Sequence, residues 1–121
     1  MNLVFTKARK KPIDVDVLQL TNSLWFDVYN ESDHCIRING YELQAGYVEE
    51  IYYYSEGGEI YPSPETKRCF YVNTLEDVAR GKLHKANIND WLIIGVRGEI
   101  YACAENIFEE TYELKEVINE H

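Results

Sequence analysis

The sequence predicts an α+β fold. It reads as a mostly antiparallel sheet of about six short strands with two or three short helices, and a barrel-like closure of that sheet is one arrangement open to it. Three observations carry the prediction. Short β-rich runs recur between glycine- and asparagine-containing turns. One hairpin, Trp91 to Cys103, is unusually clear. Helical spacing of apolar residues is confined to two short stretches. At 121 residues, with 45% hydrophobic and 27% charged, the chain fits one domain over residues 1–121, large enough to bury a core without staples.

The elements follow in order. Pro12 to Leu20 alternates Ile13, Val15 and Val17 against Asp14 and Asp16, a strand with one wet face. Thr21-Asn22-Ser23 is a helix-start cluster, and Leu24, Trp25, Val28 and Tyr29 continue it as a short helix over about 23–31. Asp33 to Asn39 reads as a strand closed by a turn at Asn39-Gly40. Tyr47 to Tyr54 is strongly β in character, Glu56-Gly57-Gly58-Glu59 is a turn, and Ile60-Tyr61 returns. Pro62-Ser63-Pro64 is expected to end that strand, since proline cannot join an inner ladder. Cys69 to Val72 is a further strand. Thr74 to Asp77 begins a turn or short helix that Gly81 ends. Trp91 to Val96 turns at Arg97-Gly98 into Glu99 to Cys103. Asn106 is the expected cap of a last helix, with Ile107, Phe108, Tyr112 and Val117 facing inward.

Charge and cysteine content narrow the function classes. Twelve Lys and Arg against 21 Asp and Glu give a net charge of −9, which argues against binding polymeric nucleic acid through a broad basic surface. Four of the twelve cations, Lys7, Arg9, Lys10 and Lys11, nevertheless fall within five positions. Cys35, Cys69 and Cys103 are odd in number and widely spaced, as expected of reduced thiols in a cytosol. No apolar run is long enough to span a membrane, and the apolar stretch in MNLVFTKARKKP is too short for a signal peptide, with its charges on the wrong side.

Arg9-Lys10-Lys11-Pro12-Ile13-Asp14-Val15-Asp16-Val17-Leu18-Gln19-Leu20 resembles the RKKP(V/I)x(V/I)EAxQ(F/W) opening of a widespread group of small bacteriophage and prophage proteins. Asn89-Asp90-Trp91-Leu92-Ile93-Ile94-Gly95-Val96-Arg97-Gly98-Glu99-Ile100-Tyr101-Ala102-Cys103 resembles its GD(Y/W)IIxGVKGExYPC motif, Asn106-Ile107-Phe108-Glu109-Glu110-Thr111-Tyr112-Glu113 continues it as the group's DIFExTYE, and Thr74-Leu75-Glu76-Asp77 sits where the group has TLEG. The likeness covers roughly half the chain; Ile88-Asn89 stand in place of Pro-Gly, and Ala102 in place of Pro. Most of the group has no assigned function. The resemblance implies a phage product in a host bacterial cytoplasm, a class that includes inhibitors of host defence.

Enzyme constellations are weak, and the chain is expected not to be an enzyme. His34, His84 and His121 show no metal-ligand spacing, so no metal or cofactor is expected. His34 and Cys35 are strand neighbours that point to opposite faces. Gly95 and Gly98 lack the Walker lysine and the GxGxxG pattern. Asp90 and Glu99 could form an acid pair, but a turn-forming Asp and a solvent-facing Glu are the favoured reading.

Binding chemistry is better represented. Ten Tyr and two Trp offer stacking faces with polar tips. The first expectation is a counter-defence sponge, a homo-oligomer that sequesters a nucleotide second messenger without cleaving it. Arg9, Lys10, Lys11 and Arg97 would hold phosphates, and Trp25, Tyr53 or Trp91 would stack on bases. The alternative is an acidic, DNA-mimicking inhibitor of a host defence nuclease, in the manner of an anti-CRISPR protein. Glu109, Glu113, Glu116 and Glu120 would line one face of a helical tail and meet the basic partner. A structural or regulatory phage component is the third option.

Overall fold

The computed structural model describes residues 1–74 and 84–115. Its elements are β1 (Asp16–Gln19), α1 (Asn22–Tyr29), a single 3-10 turn at Ser32–His34, β2 (Cys35–Ile38), β3 (Tyr41–Glu56), β4 (Glu59–Thr74), β5 (Lys85–Asn87), β6 (Trp91–Ile94), β7 (Ile100–Cys103) and α2 (Glu105–Thr111). The α+β class and the antiparallel pairing are as expected. The strands divide between two sheets, in the orders β1-β6-β7 and β2-β3-β4-β5, with no closed barrel among the described residues. The stretch from Leu75 to Gly81, Val117, Glu116 and Glu120 lie outside the described residues.

Thr21 caps α1 as its position suggests: its hydroxyl accepts the Leu24 N–H at 3.2 Å, an arrangement worth about 1 kcal/mol. The helix ends at Tyr29, two residues before the expected end. Trp25 and Val28, one turn apart, point into a core that also holds Leu20, Leu43, Ala45, Phe70, Val72, Ala86, Leu92 and Ile100. β6 is the central strand of its sheet. Leu92 faces this core, while Trp91 and Ile93 share the other face, where Trp91 stacks on Phe108 of α2 at 4.0 Å. Cover on both faces explains why the strand reads as an unbroken apolar run.

The three expected glycine turns form, Arg97-Gly98 between β6 and β7 among them. Asn39-Gly40 and Gly57-Gly58 join their strands through two residues with positive φ, the backbone that matches the twist of a tight hairpin. The second connects two strands of 16 residues each, in unbroken register from Tyr41↔Thr74 to Glu56↔Glu59. This corrects the expected stop at Pro62-Ser63-Pro64. The Val72 N–H bonds the His84 carbonyl on the β5 side, so even-numbered β4 residues direct their N–H away from β3. Pro62 and Pro64 are even, and β5 pairs only Cys69 to Tyr71. Their missing donors therefore face an open edge, where proline interrupts nothing.

The expected cap of α2 is also corrected. The helix begins at Glu105, before Asn106, and Ala104 at its N-cap offers no side-chain bond. Asp90 supplies it from across the fold. One carboxylate oxygen accepts the Glu105 N–H at 3.2 Å and the other the Asn87 N–H at 2.9 Å. Ile107 is exposed, and only Phe108 of α2 is buried. Asp90→Ala should lower stability by about 1–2 kcal/mol, read as a lower midpoint in urea denaturation. An unchanged midpoint would remove Asp90 from this role.

Candidate functional site

The long hairpin leaves the body of the protein as a two-stranded ribbon. β2 pairs only Tyr41 to Gln44 of β3, and β5 only Cys69 to Tyr71 of β4. At the departure point Gly46 lies beneath the Tyr71 ring, where a Cβ would fall 2.9 Å from a ring carbon. The Tyr71 hydroxyl continues across the strand and donates to the Tyr47 carbonyl at 3.3 Å.

The root of this ribbon holds an open groove of about 600 Å³, where the start of α1, the end of β5 and strands β3 and β4 meet. Asn22, Tyr47, Glu50, Lys67, Arg68 and Asn87 are among its walls. Register brings Tyr47 opposite Arg68. The Arg68 guanidinium lies 4.3 Å from the Phe26 ring centre and 5.1 Å from that of Trp25. These rings hold its planar fork by cation–π attraction, and no carboxylate pairs with it among the described residues. Tyr47 stands edge-on to Trp25 at 5.1 Å and is about half exposed.

Lys67, on the opposite face, is engaged. It pairs with Glu50 at 3.0 Å and sits 4.8 Å over the Tyr52 ring. The Tyr52 hydroxyl donates to Glu50 at 2.6 Å. That bond, then Lys67, holds the Glu50 carboxyl below its ordinary pKa, while Tyr52 and then Glu50 raise that of the Lys67 ammonium.

The residues singled out from sequence do not converge on one pocket. Trp25 is 1% exposed, and its indole N–H donates to the Gly46 and Cys69 carbonyls at 3.1 and 3.0 Å. Tyr29 stacks on its ring at 4.6 Å. Trp25 is therefore a core residue and no platform for a base. Tyr53 is 71% exposed but lies six residues along β3 from Tyr47, about 20 Å away. Arg9, Lys10 and Lys11 are exposed on a segment without regular structure. Lys10 reaches within 5.9 Å of the Tyr112 ring centre, and Tyr112 stacks on Phe108 and through it on Trp91. Lys10 and Trp91 thus meet at one ring stack, while Arg97 lies exposed in the β6–β7 turn.

The acidic face is interrupted. Glu109 is exposed on α2, but the helix ends at Thr111 and Tyr112 is extended, so Glu113 lies beyond it. The stack of Tyr112 on Phe108 and a Lys115–Asp14 ion pair of 2.6 Å accompany this extended path. Glu99 accepts the Arg97 N–H at 2.9 Å, so it and Asp90 are each bound to backbone instead of to one another. All three cysteines are free thiols; burial raises the pKa of Cys35 and Cys69. His34 stacks on Tyr29 and bonds its carbonyl. The described residues contain no metal-binding cluster of His, Cys, Asp and Glu, and no helix among them is long and apolar enough to cross a membrane.

No protein-family model matches this chain, and comparison with curated proteins and with solved structures finds no match.

Proposed function

We propose that the chain is a non-catalytic binding protein that holds a nucleotide in the groove at the ribbon root. The phage resemblance suggests the biological purpose, withdrawal of a nucleotide immune signal in a bacterial host. The observation that carries the reading is Arg68, a guanidinium set on two aromatic rings with no carboxylate on it among the described residues. Its fork suits a phosphate, which it can grip with two parallel hydrogen bonds. Tyr47 offers a half-exposed ring, and a stacked base contributes about 1–3 kcal/mol. Asn22 and Asn87 bring amide donors and acceptors for base edges. The volume falls in the range of small-molecule sites. A chain of net charge −9 repels a polyanion while one local pair of cations holds a small one.

Calorimetric titration of the purified protein with cyclic mono-, di- and trinucleotides tests this. Saturable heat with at least one is expected, and silence across the series ends the proposal. Glu50 competes with the ligand for Lys67. Because its folded pKa is lowered, it stays ionised through neutral pH, and its hold on Lys67 is lost only as pH falls through that depressed value. Glu50→Gln should therefore tighten nucleotide binding at neutral pH by roughly two- to five-fold. Weaker binding by this variant would show that Glu50 itself contacts the ligand.

A further inference from the structure

We propose that the outer edge of β3 is the seam of a two-fold dimer, its occupant a second copy of this chain. This goes beyond the nucleotide reading and is independent of it. The two edges of the ribbon differ. Along β4, Pro62 and Pro64 remove two outward donors. Along β3, odd-numbered residues point outward, because their even neighbours pair with β4. From Glu49 to Ser55 this edge contains no proline and no bulge, and its outward peptide groups have no partner among the described residues. A lone two-stranded ribbon is marginal in water, and an unblocked edge is a template for another strand.

One face of the ribbon is also uncovered. Ile51, Tyr53 and Ile60 are 55%, 71% and 71% exposed, and Pro62 and Pro64 lie beside them. This face continues the one that buries Leu43, Ala45, Phe70 and Val72 in the core. The charges are compatible with self-pairing. A two-fold axis through Ile51 sets Ile51 against its own copy, Glu49 against Tyr53, Glu50 against Tyr52 and Glu56 against Gly46. An axis through Tyr52 likewise opposes no two carboxylates. Axes through Glu49 or Glu50 set like charges together, and one through Tyr53 sets Glu50 against Glu56. The permitted registers produce a four-stranded sheet in which the apolar bands of the two copies adjoin.

Sedimentation equilibrium of the full chain, from about 1 µM to about 1 mM, tests the seam. The wild type should approach twice its 14.2 kDa mass. Tyr53→Pro deletes an outward donor and leaves the β3–β4 ladder intact, which amide exchange of the ribbon verifies. It should weaken the dimer at least about ten-fold. Ile51→Lys should do the same without touching the backbone, since it sets two ammonium groups near the axis. A wild type that stays at the single-chain mass, or dimers that persist in both variants, would overturn the proposal. So would an assembly that forms only with an added peptide. Tyr53 and Ile51 lie outside the groove, so nucleotide titration of the same samples reports separately on that site.

Discussion

Trp25→Ala should destabilise the protein by about 3–5 kcal/mol, the largest effect expected of any single substitution in the described core. Trp25 is 1% exposed and packs in the cluster that joins α1 to β3 and β4. Its removal leaves a cavity, and it undoes the aromatic shelf beneath Arg68. With total stability near 5–15 kcal/mol for a domain, much of the margin disappears, and urea denaturation should show a markedly lower midpoint. Trp25→Phe separates the contributions. It keeps most of the ring but loses the indole donor to Gly46 and Cys69. Gly46 and Cys69 are also partners in the β3–β4 ladder, where each carbonyl accepts the other residue's N–H, so the carbonyls keep a partner and the cost should be well below that of alanine. Equal losses in the two variants would shift the weight from packing to the hydrogen bonds.

Arg68→Glu should abolish measurable nucleotide binding, a drop of at least about 100-fold, because a charge-assisted contact worth about 1.5–3 kcal/mol is replaced by repulsion. Arg68→Lys should retain part of the affinity as a point charge without the planar fork. Arg68 is exposed, so both variants should fold, and circular dichroism checks that. Undiminished binding by Arg68→Glu would place the ligand elsewhere, with the Lys10, Tyr112 and Trp91 stack the next site to examine.

Much of the fold was legible because local chemistry dictated it. Asn39-Gly40 and Gly57-Gly58 demand positive φ and so announce their hairpins, Thr21 announces a helix start, and the run at β6 reports a strand covered on both faces. The long ribbon was not legible past Pro62. A proline's cost depends on which side of its strand is paired, and that side is set by the partner's register. The α2 cap was hidden for a related reason, since Asp90 precedes Glu105 by 15 residues and the two meet only after β6 and β7 fold back.

The site was harder to read. Trp25 and Tyr53 are both recognition-prone aromatic residues with a polar tip, yet burial makes one a core anchor and the other a surface ring. The cluster from Lys7 to Lys11 drew attention by density, whereas Lys67 and Arg68 are only two cations in an unremarkable run. One signal for them existed. Carrying the register outward from the Gly57-Gly58 turn sets Arg68 opposite Tyr47, but only if the strand is allowed to continue through its prolines.

The central claim is that the ribbon root, and not the N-terminal basic cluster, holds the ligand. Amide chemical-shift mapping of the labelled protein, titrated with whichever cyclic nucleotide gives saturable heat, tests it most directly. Saturable shifts centred on Asn22, Tyr47, Thr66, Lys67, Arg68 and Asn87 are the predicted result. Shifts centred instead on Arg9 to Lys11 or on Arg97, with the ribbon root unmoved, would contradict it.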